Sequence, residues 1–283
     1  MKKIAITGAN GQLGKQFAED LNVSDYQVYA LSRDEMDITD FSGVDKILRE
    51  IKPDIVIHCA AYTKVDLAEA ERDKAFLVNA LGARNVAVAA ENISAKLVYI
   101  STDYVFDGTK STGYDEFDLP NPINVYGASK YAGENFVKSF HSRYFIVRTS
   151  WLYGKYGNNF VEIMLKLAKA KNEIKVVNDQ TGSPTYVKDL VQCVRKLMGT
   201  ELYGTYHVSN AGICTWYEFA REIFSLCNIS ANTKPVSTNE FGAAAPRPAY
   251  SILNHYALGL NGFGLMRSWK EGLIEYLQER ENC

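Results

Sequence analysis

Apolar residues in the first half of the chain fall in short unbroken runs, each followed by a stretch with helical spacing. Lys3–Thr7, Gln27–Leu31, Asp54–Ala60, Lys96–Ser101 and Tyr144–Thr149 read as strands, rich in β-branched and aromatic residues. Leu13–Leu21, Phe41–Ile51, the alanine-rich Lys74–Asn92 and Tyr126–Phe140 read as helices. Strands that alternate with helices and are apolar throughout are covered on both faces. The fold class is therefore α/β, a Rossmann-type doubly wound parallel sheet with right-handed crossovers.

After about residue 150 the rhythm changes. Helices are expected at Asn158–Lys171, Val187–Met198, Thr215–Cys227 and Trp269–Glu279, with short strands at Ile174–Val177 and Gly204–Ser209. Thr215 and Glu218 have the spacing of a capping box. The stretch from Asn228 to Pro248 carries little pattern. With no repeat and no low-complexity linker, the break marks a change of role within a compact body. Residues 1–150 form one domain, and 151–283 form mainly a smaller α/β region with some segments returning to the first.

Composition narrows the function. The 283 residues are 47 % hydrophobic and 23 % charged, with a net charge of −2. A chain of this length buries roughly three quarters of its surface, leaving about 12,000 Å² exposed. No basic surplus is present to neutralise phosphates in a row, which excludes a nucleic-acid binder. No apolar run approaches the ~18 residues of a membrane span, and the N-terminal apolar stretch is too short for a signal peptide, so the expected location is cytoplasmic. Five cysteines, at 59, 193, 214, 227 and 283, with no CxxC, read as reduced thiols. The four histidines have no ligand spacing, so no metal site is expected.

The first strand runs into Gly8-Ala9-Asn10-Gly11-Gln12-Leu13-Gly14. Gly8 permits a tight turn, Gly11 lets a pyrophosphate approach the backbone, and Gly14 lets the helix pack close to the strand. The N–H groups at the helix start would hold the phosphates, which points to a dinucleotide cofactor and makes 1–150 an NAD(P)-binding domain. At the end of the second strand, where an acidic residue often meets the ribose 2′-hydroxyl, stand Ser32 and Arg33. A hydroxyl followed by a guanidinium suits a 2′-phosphate, so NADPH is expected, while Asp34, Glu35 and Asp37 leave NADH open.

Tyr126 and Lys130 lie one turn apart on a helix that follows the strand ending in Ser101-Thr102. Reducing a ketone requires hydride at carbon and a proton at oxygen. Tyr126 can give that proton, and the Lys130 ammonium together with the nicotinamide's positive charge should favour its phenolate and bring its pKa toward neutrality. Lys130 can also hold the cofactor's ribose, and Thr102 can orient the carbonyl oxygen.

Together these segments resemble the extended short-chain dehydrogenases/reductases, which act mostly on nucleotide sugars, and among them the dTDP-4-dehydrorhamnose reductases. TGANGQLG (7–14), HCAAYTKVDLAE (58–69), VYISTDYVFDG (98–108), NVYGASKYAGE (124–134), RTSWLYG (148–154), GNNF (157–160) and NDQTGSPT (178–185) carry the likeness, which thins beyond about 210 to Thr215-Trp216 and Arg247-Pro248. The resemblance implies Gly11, Gln12 and Leu13 at the pyrophosphate. It implies Asp37 and Ile38 at the adenine, and Ala60, Ala61 and Tyr62 beneath the ribose and nicotinamide. Thr102 and Asp103 would meet the sugar, Trp151 would pack on its hexose ring, and Asn159 and Arg247 would face the diphosphate of a dTDP-sugar. The related 4,6-dehydratases carry Thr-Asp-Glu where this chain has Thr102-Asp103-Tyr104, so carbonyl reduction is favoured over elimination. Another nucleotide-sugar reductase or epimerase remains open. So does an NADP-binding regulatory subunit similar to the beta subunit of methionine adenosyltransferase. The apolar faces of the helices at 74–92 and 126–140 could pair in a homodimer.

Overall fold

A computed structural model describes residues 1–22 and 26–281; Cys283 lies outside the described residues. The chain opens with β1 (Lys2–Thr7), α1 (Gln12–Asn22), β2 (Tyr26–Leu31), α2 (Phe41–Ile51) and β3 (Ile55–His58). A broken helical run follows: α3 (Val65–Ala70), α4 (Arg72–Phe76), a π-helical turn (Leu77–Gly82) and α5 (Ala83–Asn92). Next come β4 (Lys96–Thr102), a 3₁₀ turn (Asp103–Val105), α6 (Val125–Phe140) and β5 (Tyr144–Thr149). The remainder is β6 (Leu152–Tyr153), α7 (Phe160–Ala170), β7 (Ile174–Val177), β8 (Thr181–Gly182), β9 (Thr185–Tyr186), α8 (Val187–Met198) and β10 (Gly204–His207). It closes with β11 (Cys214–Thr215), α9 (Trp216–Leu226), β12 (Thr233–Val236), α10 (Thr238–Phe241), α11 (Tyr256–Leu260) and α12 (Trp269–Glu281).

Six strands form one sheet in the order β2-β1-β3-β4-β5-β10, every pair parallel. Side-chain alternation splits its packing into two layers. Ile4, Ile6, Ile55, Ile57, Val98, Phe145 and Val147 face α1 and α8 through Phe17, Leu21, Leu190 and Val194. Ala5, Val56, Leu97, Tyr99 and Ile146 face α2, α5 and α6 through Leu48, Val86 and Val137. Both faces are thus dry, which is why β3 reads as an unbroken apolar run. The molecule exposes 12736 Å², close to the scaling expectation.

The chain leaves β1 for β2 on one side and returns to β3 on the other. Ligands of doubly wound sheets bind at such a switch point, outside the carboxyl ends of the strands. A third core, with Tyr153, Leu165, Val176, Phe219, Trp269 and Leu273, belongs to the second half. α8 and β10 return to the large sheet, with Gly204–His207 pairing Phe145–Arg148.

Two sequence expectations change. The helix expected over 74–92 is present, running without a gap from Arg72 to Asn92, but Leu77–Gly82 widens into a π turn within it. The patternless stretch after Asn228 contains β12, which pairs parallel with β7. By contrast, Thr215 and Glu218 form a capping box at the start of α9.

Candidate active site

The carboxyl edge of the sheet opens into a cleft of about 620 Å³. Its floor is the glycine loop. Gly8 has φ +67°, which favours glycine, and a Cβ there would stand 2.7 Å from the Ala60 backbone. A Cβ on Gly14 would stand 2.4 Å from the Gly8 carbonyl oxygen. The loop is therefore closed by backbone packing that only glycine allows, and the start of α1 lies open to the cleft. Gly8, Gly11, Gln12, Leu13 and Gly14 all line it, as a dinucleotide cradle requires.

The adenine end is built by the loop after β2. Arg33, Asp37 and Ile38 line the cleft. The Arg33 side chain is 78 % exposed, and its contact with Asp37 is a long 3.4 Å, so the guanidinium is available to an anion. Asp37 accepts from the Thr39 amide and hydroxyl at 2.9 and 2.7 Å, which hold its carboxyl below the usual range. Ser32 is not among the lining residues; its amide is committed to Glu35 at 2.7 Å.

Ala60, Ala61 and Tyr62 line the opposite wall after β3. Their path is fixed by two residues the sequence did not single out. Thr7 Oγ1 accepts from the Ala60 amide at 3.2 Å and pairs with His58 Nδ1 at 2.7 Å. Asn79, inside the π turn, accepts from the Tyr62 amide at 2.7 Å and donates to the Tyr62 carbonyl and to Ser129 Oγ. π-helical turns cluster at functional sites, and an Asn inside an otherwise alanine-rich helix was the available signal.

Thr102, Asp103, Tyr126 and Lys130 converge where β4 meets α6. Asn124 caps α6 by accepting from the Gly127 amide at 2.7 Å, which sets Tyr126 in the first turn. Gly127 makes this possible, since a Cβ there would lie 2.0 Å from the Tyr104 carbonyl oxygen. The Tyr126 ring meets Tyr104 edge-on at 5.9 Å, with Thr102 beside it in the cleft. Thr102 Oγ1 also donates to Asp103 Oδ1 at 3.0 Å. Lys130 Nζ donates to the Ile100 carbonyl at 2.7 Å and lies 4.1 Å from the Tyr99 ring centroid.

The electrostatics differ from the sequence expectation. Burial pushes Tyr126 up to about 12; the nearby Thr102 hydroxyl opposes this and the Asp103 charge adds to it. The expected acidification of Tyr126 by Lys130 is therefore not expressed in this structure. Lys130 is itself lowered to about 7, chiefly by burial, with Glu134 pulling the other way. Burial also raises Asp103 to about 6, and its Oδ2 has no hydrogen-bond partner. Behind them Glu134 is fully buried. It accepts from Ser101 Oγ at 2.6 Å and from Arg148 at 2.9 and 2.7 Å, tying β4, α6 and β5 together.

The substrate-side residues divide. Trp151 lines the cleft with φ +48° and stacks on Trp216 at 3.5 Å and 9°. Gly182 makes room for it, since a Cβ there would stand 2.6 Å from the indole. Asn159 is not in the cleft: it caps α7, accepting from the Glu162 amide at 3.1 Å and donating to the Gly154 carbonyl at 2.9 Å. Its neighbour Asn158 lines the cleft instead. Arg247 lies away from the main cleft and lines a second pocket of about 180 Å³ with Phe160, Lys175, Gln180, Trp216 and Phe241. Tyr104 lines that pocket too, beside Tyr126.

Among the described residues no three His, Cys, Asp or Glu side chains are grouped to hold a metal ion, and no helix is long and apolar enough to cross a membrane.

Comparison with known proteins gives a consistent result. The RmlD substrate-binding domain family matches residues 1–282. The spore coat polysaccharide biosynthesis protein SpsK of Bacillus subtilis is 46 % identical, over 100 % of this chain and 99 % of its own. A dTDP-4-dehydrorhamnose reductase of Aggregatibacter actinomycetemcomitans is 40 % identical over 96 % of this chain and 97 % of its own. The crystal structure of dTDP-4-dehydrorhamnose reductase from Bacillus anthracis in complex with NADP superposes with a TM-score of 0.97 at 62 % identity, covering 99 % and 100 % of the two chains. The chain belongs to the RmlD substrate-binding domain family.

Proposed function

We propose that the protein reduces the C4 ketone of dTDP-4-dehydro-6-deoxy-L-mannose to the alcohol of dTDP-L-rhamnose, using NADPH. The observation that carries this is the convergence of Thr102, Tyr126 and Lys130 in a cleft whose floor is the glycine loop. The cradle fits the cofactor: Gly8 and Gly14 occupy positions that a Cβ would close. Gly11, Gln12 and Leu13 would hold the pyrophosphate, Arg33 the 2′-phosphate, and Ala60, Ala61 and Tyr62 the nicotinamide side. When bound, NADPH supplies the hydride that arrives at C4.

The chain's own residues supply the rest. Thr102 orients the ketone oxygen, and Tyr126 gives it a proton as negative charge develops there. The resulting phenolate sits in a buried setting that disfavours it, and an ammonium at Lys130, one turn along α6, together with the positive charge of the oxidised cofactor, would offset this cost. Asp103, with an unpartnered carboxylate oxygen, accepts from a sugar hydroxyl. Trp151, backed by Trp216, forms an apolar wall for the hexose. The second pocket takes the nucleoside diphosphate, with Phe160, Trp216 and Phe241 for the base and Arg247 for the phosphates.

The test is NADPH oxidation followed by absorbance with and without the dTDP-ketosugar. Turnover dependent on the ketosugar is expected. Tight NADP binding without turnover on any ketosugar would instead favour the regulatory-subunit reading. Buried thiols at Cys193 and Cys214 suit action in the reducing cytoplasm. Pairing of two copies through α5 and α6, where Phe140 is exposed, is tested by sedimentation.

A further inference from the structure

We propose that Asp66 is a positioning residue for the substrate's nucleoside diphosphate: it clamps Arg247 and the segment carrying it against the cofactor-binding half. The inference rests on the reading of the second pocket given above. Asp66 sits in the first turn of α3, four residues past the wall made by Tyr62. Its carboxylate accepts from Arg247 Nη1 at 2.9 Å and Nη2 at 2.7 Å, and from the Ala245 amide at 3.0 Å. Arg247 Nη1 also donates to the Ala245 carbonyl at 2.9 Å, so guanidinium and backbone are locked as one unit. Asn124, the cap of α6, donates to the Pro246 carbonyl at 2.9 Å. At the far end of the segment, the Thr238 amide and hydroxyl donate to Asp179.

The pocket wall made by Phe241, Ala243 and Arg247 is thus a strap tied at both ends, and Asp66 is its tie to the half that holds the cofactor. A long arginine side chain loses rotamer freedom when it is held in one geometry. The carboxylate takes the Nη1–Nη2 edge and removes that freedom before substrate arrives, so the diphosphate meets the remaining Nε and Nη2 N–H groups already positioned. Arg247 shares the pocket lining with Tyr104, whose ring packs against Tyr126, so its position fixes where the nucleotide lies relative to the proton donor.

The test titrates thymidine diphosphate into NADP-saturated wild type, Asp66→Asn and Asp66→Ala by calorimetry, alongside steady-state kinetics with the ketosugar. Asp66 is half exposed, so both variants should fold. Expected are about ten-fold weaker nucleotide binding, a matching rise in the ketosugar KM, kcat within about two-fold, and unchanged NADPH affinity. In Arg247→Lys, adding Asp66→Asn should cause little further loss, because the clamp has no fork left to position. Unchanged nucleotide affinity overturns the proposal. So does tighter binding, which would make Asp66 a competitor of the diphosphate, or a parallel loss of NADPH affinity, which would mean general loosening. Failure of the wild type to bind thymidine diphosphate removes the reading of the pocket itself, and the proposal with it.

Discussion

Replacing Tyr126 by Phe removes one oxygen and separates catalysis from folding. The ring keeps its edge-on contact with Tyr104, and Asn124 still caps the helix start. Thr102 keeps its bonds to Asp103 at 3.0 Å and from the Tyr104 amide at 3.2 Å, so it stays in place. The folding cost is at most that of one hydrogen bond in a half-buried site, about 1 kcal/mol. The catalytic cost is that of losing a general acid, about 10²- to 10⁴-fold in kcat, or roughly 2.7–5.4 kcal/mol of barrier. The cofactor is held by the glycine loop and Arg33 in this reading, so NADPH affinity should barely move. Single-turnover NADPH oxidation measures the rate, fluorescence titration the affinity, and urea unfolding the stability. A kcat within a few-fold of wild type would refute the assignment of Tyr126 as proton donor, whatever happened to the ketosugar KM.

Three further outcomes follow from the same geometry. Arg33→Ala should raise the NADPH KM by about 10- to 100-fold, the worth of a charge-assisted contact, and leave that for NADH unchanged; equal effects on both would show that Arg33 does not read the 2′-phosphate. Gly14→Ala should abolish NADPH binding and cost about 1–3 kcal/mol of stability, because its Cβ meets the Gly8 carbonyl; normal binding by titration would count against the cradle. Lys130→Met should stabilise the fold at pH 6, where burial penalises the ammonium, whose folded pKa of about 7 lies below its usual 10.5. Between those values the unfolded chain binds more protons, so wild-type stability climbs with pH and the gap closes toward pH 10.5. Urea midpoints at pH 6 and 9 check this, and a gap that widened with pH would reverse the assignment.

Much of the first half was legible because its physics is local. Ile55–Ile57 and Leu97–Ile100 are unbroken apolar runs, and buried parallel strands have no other pattern. The glycine loop was readable because it must sit between a strand and a helix. What escaped was set by distant chain. The β12 strand depends on β7, some sixty residues earlier, and carries Pro235 within it. Asp66 and Arg247 meet across 181 residues, with nothing in either neighbourhood to announce it. Asn159 was misplaced for a subtler reason. Two adjacent asparagines look alike, but Asn159 precedes an apolar run with Glu162 three residues on, a helix-start signature that fixes it as the cap and leaves Asn158 for the cleft. The Lys74–Asn92 helix was read correctly, but its π turn was not, because apolar spacing cannot distinguish a regular α-helix from one widened to hold Asn79 against Tyr62.

The outermost strand of the large sheet bears on how the protein is born. Gly204–His207 pairs β5, whose last residue is Thr149. A ribosome adding about 5–20 residues per second needs roughly 3–11 seconds to travel from one to the other. Throughout that interval the Tyr144–Thr149 strand presents a bare edge to whatever else is being made nearby. A nascent chain paused before residue 204 should therefore lean on chaperones, and cutting the gene at residue 150 should yield a sticky fragment, not a working nucleotide-binding half.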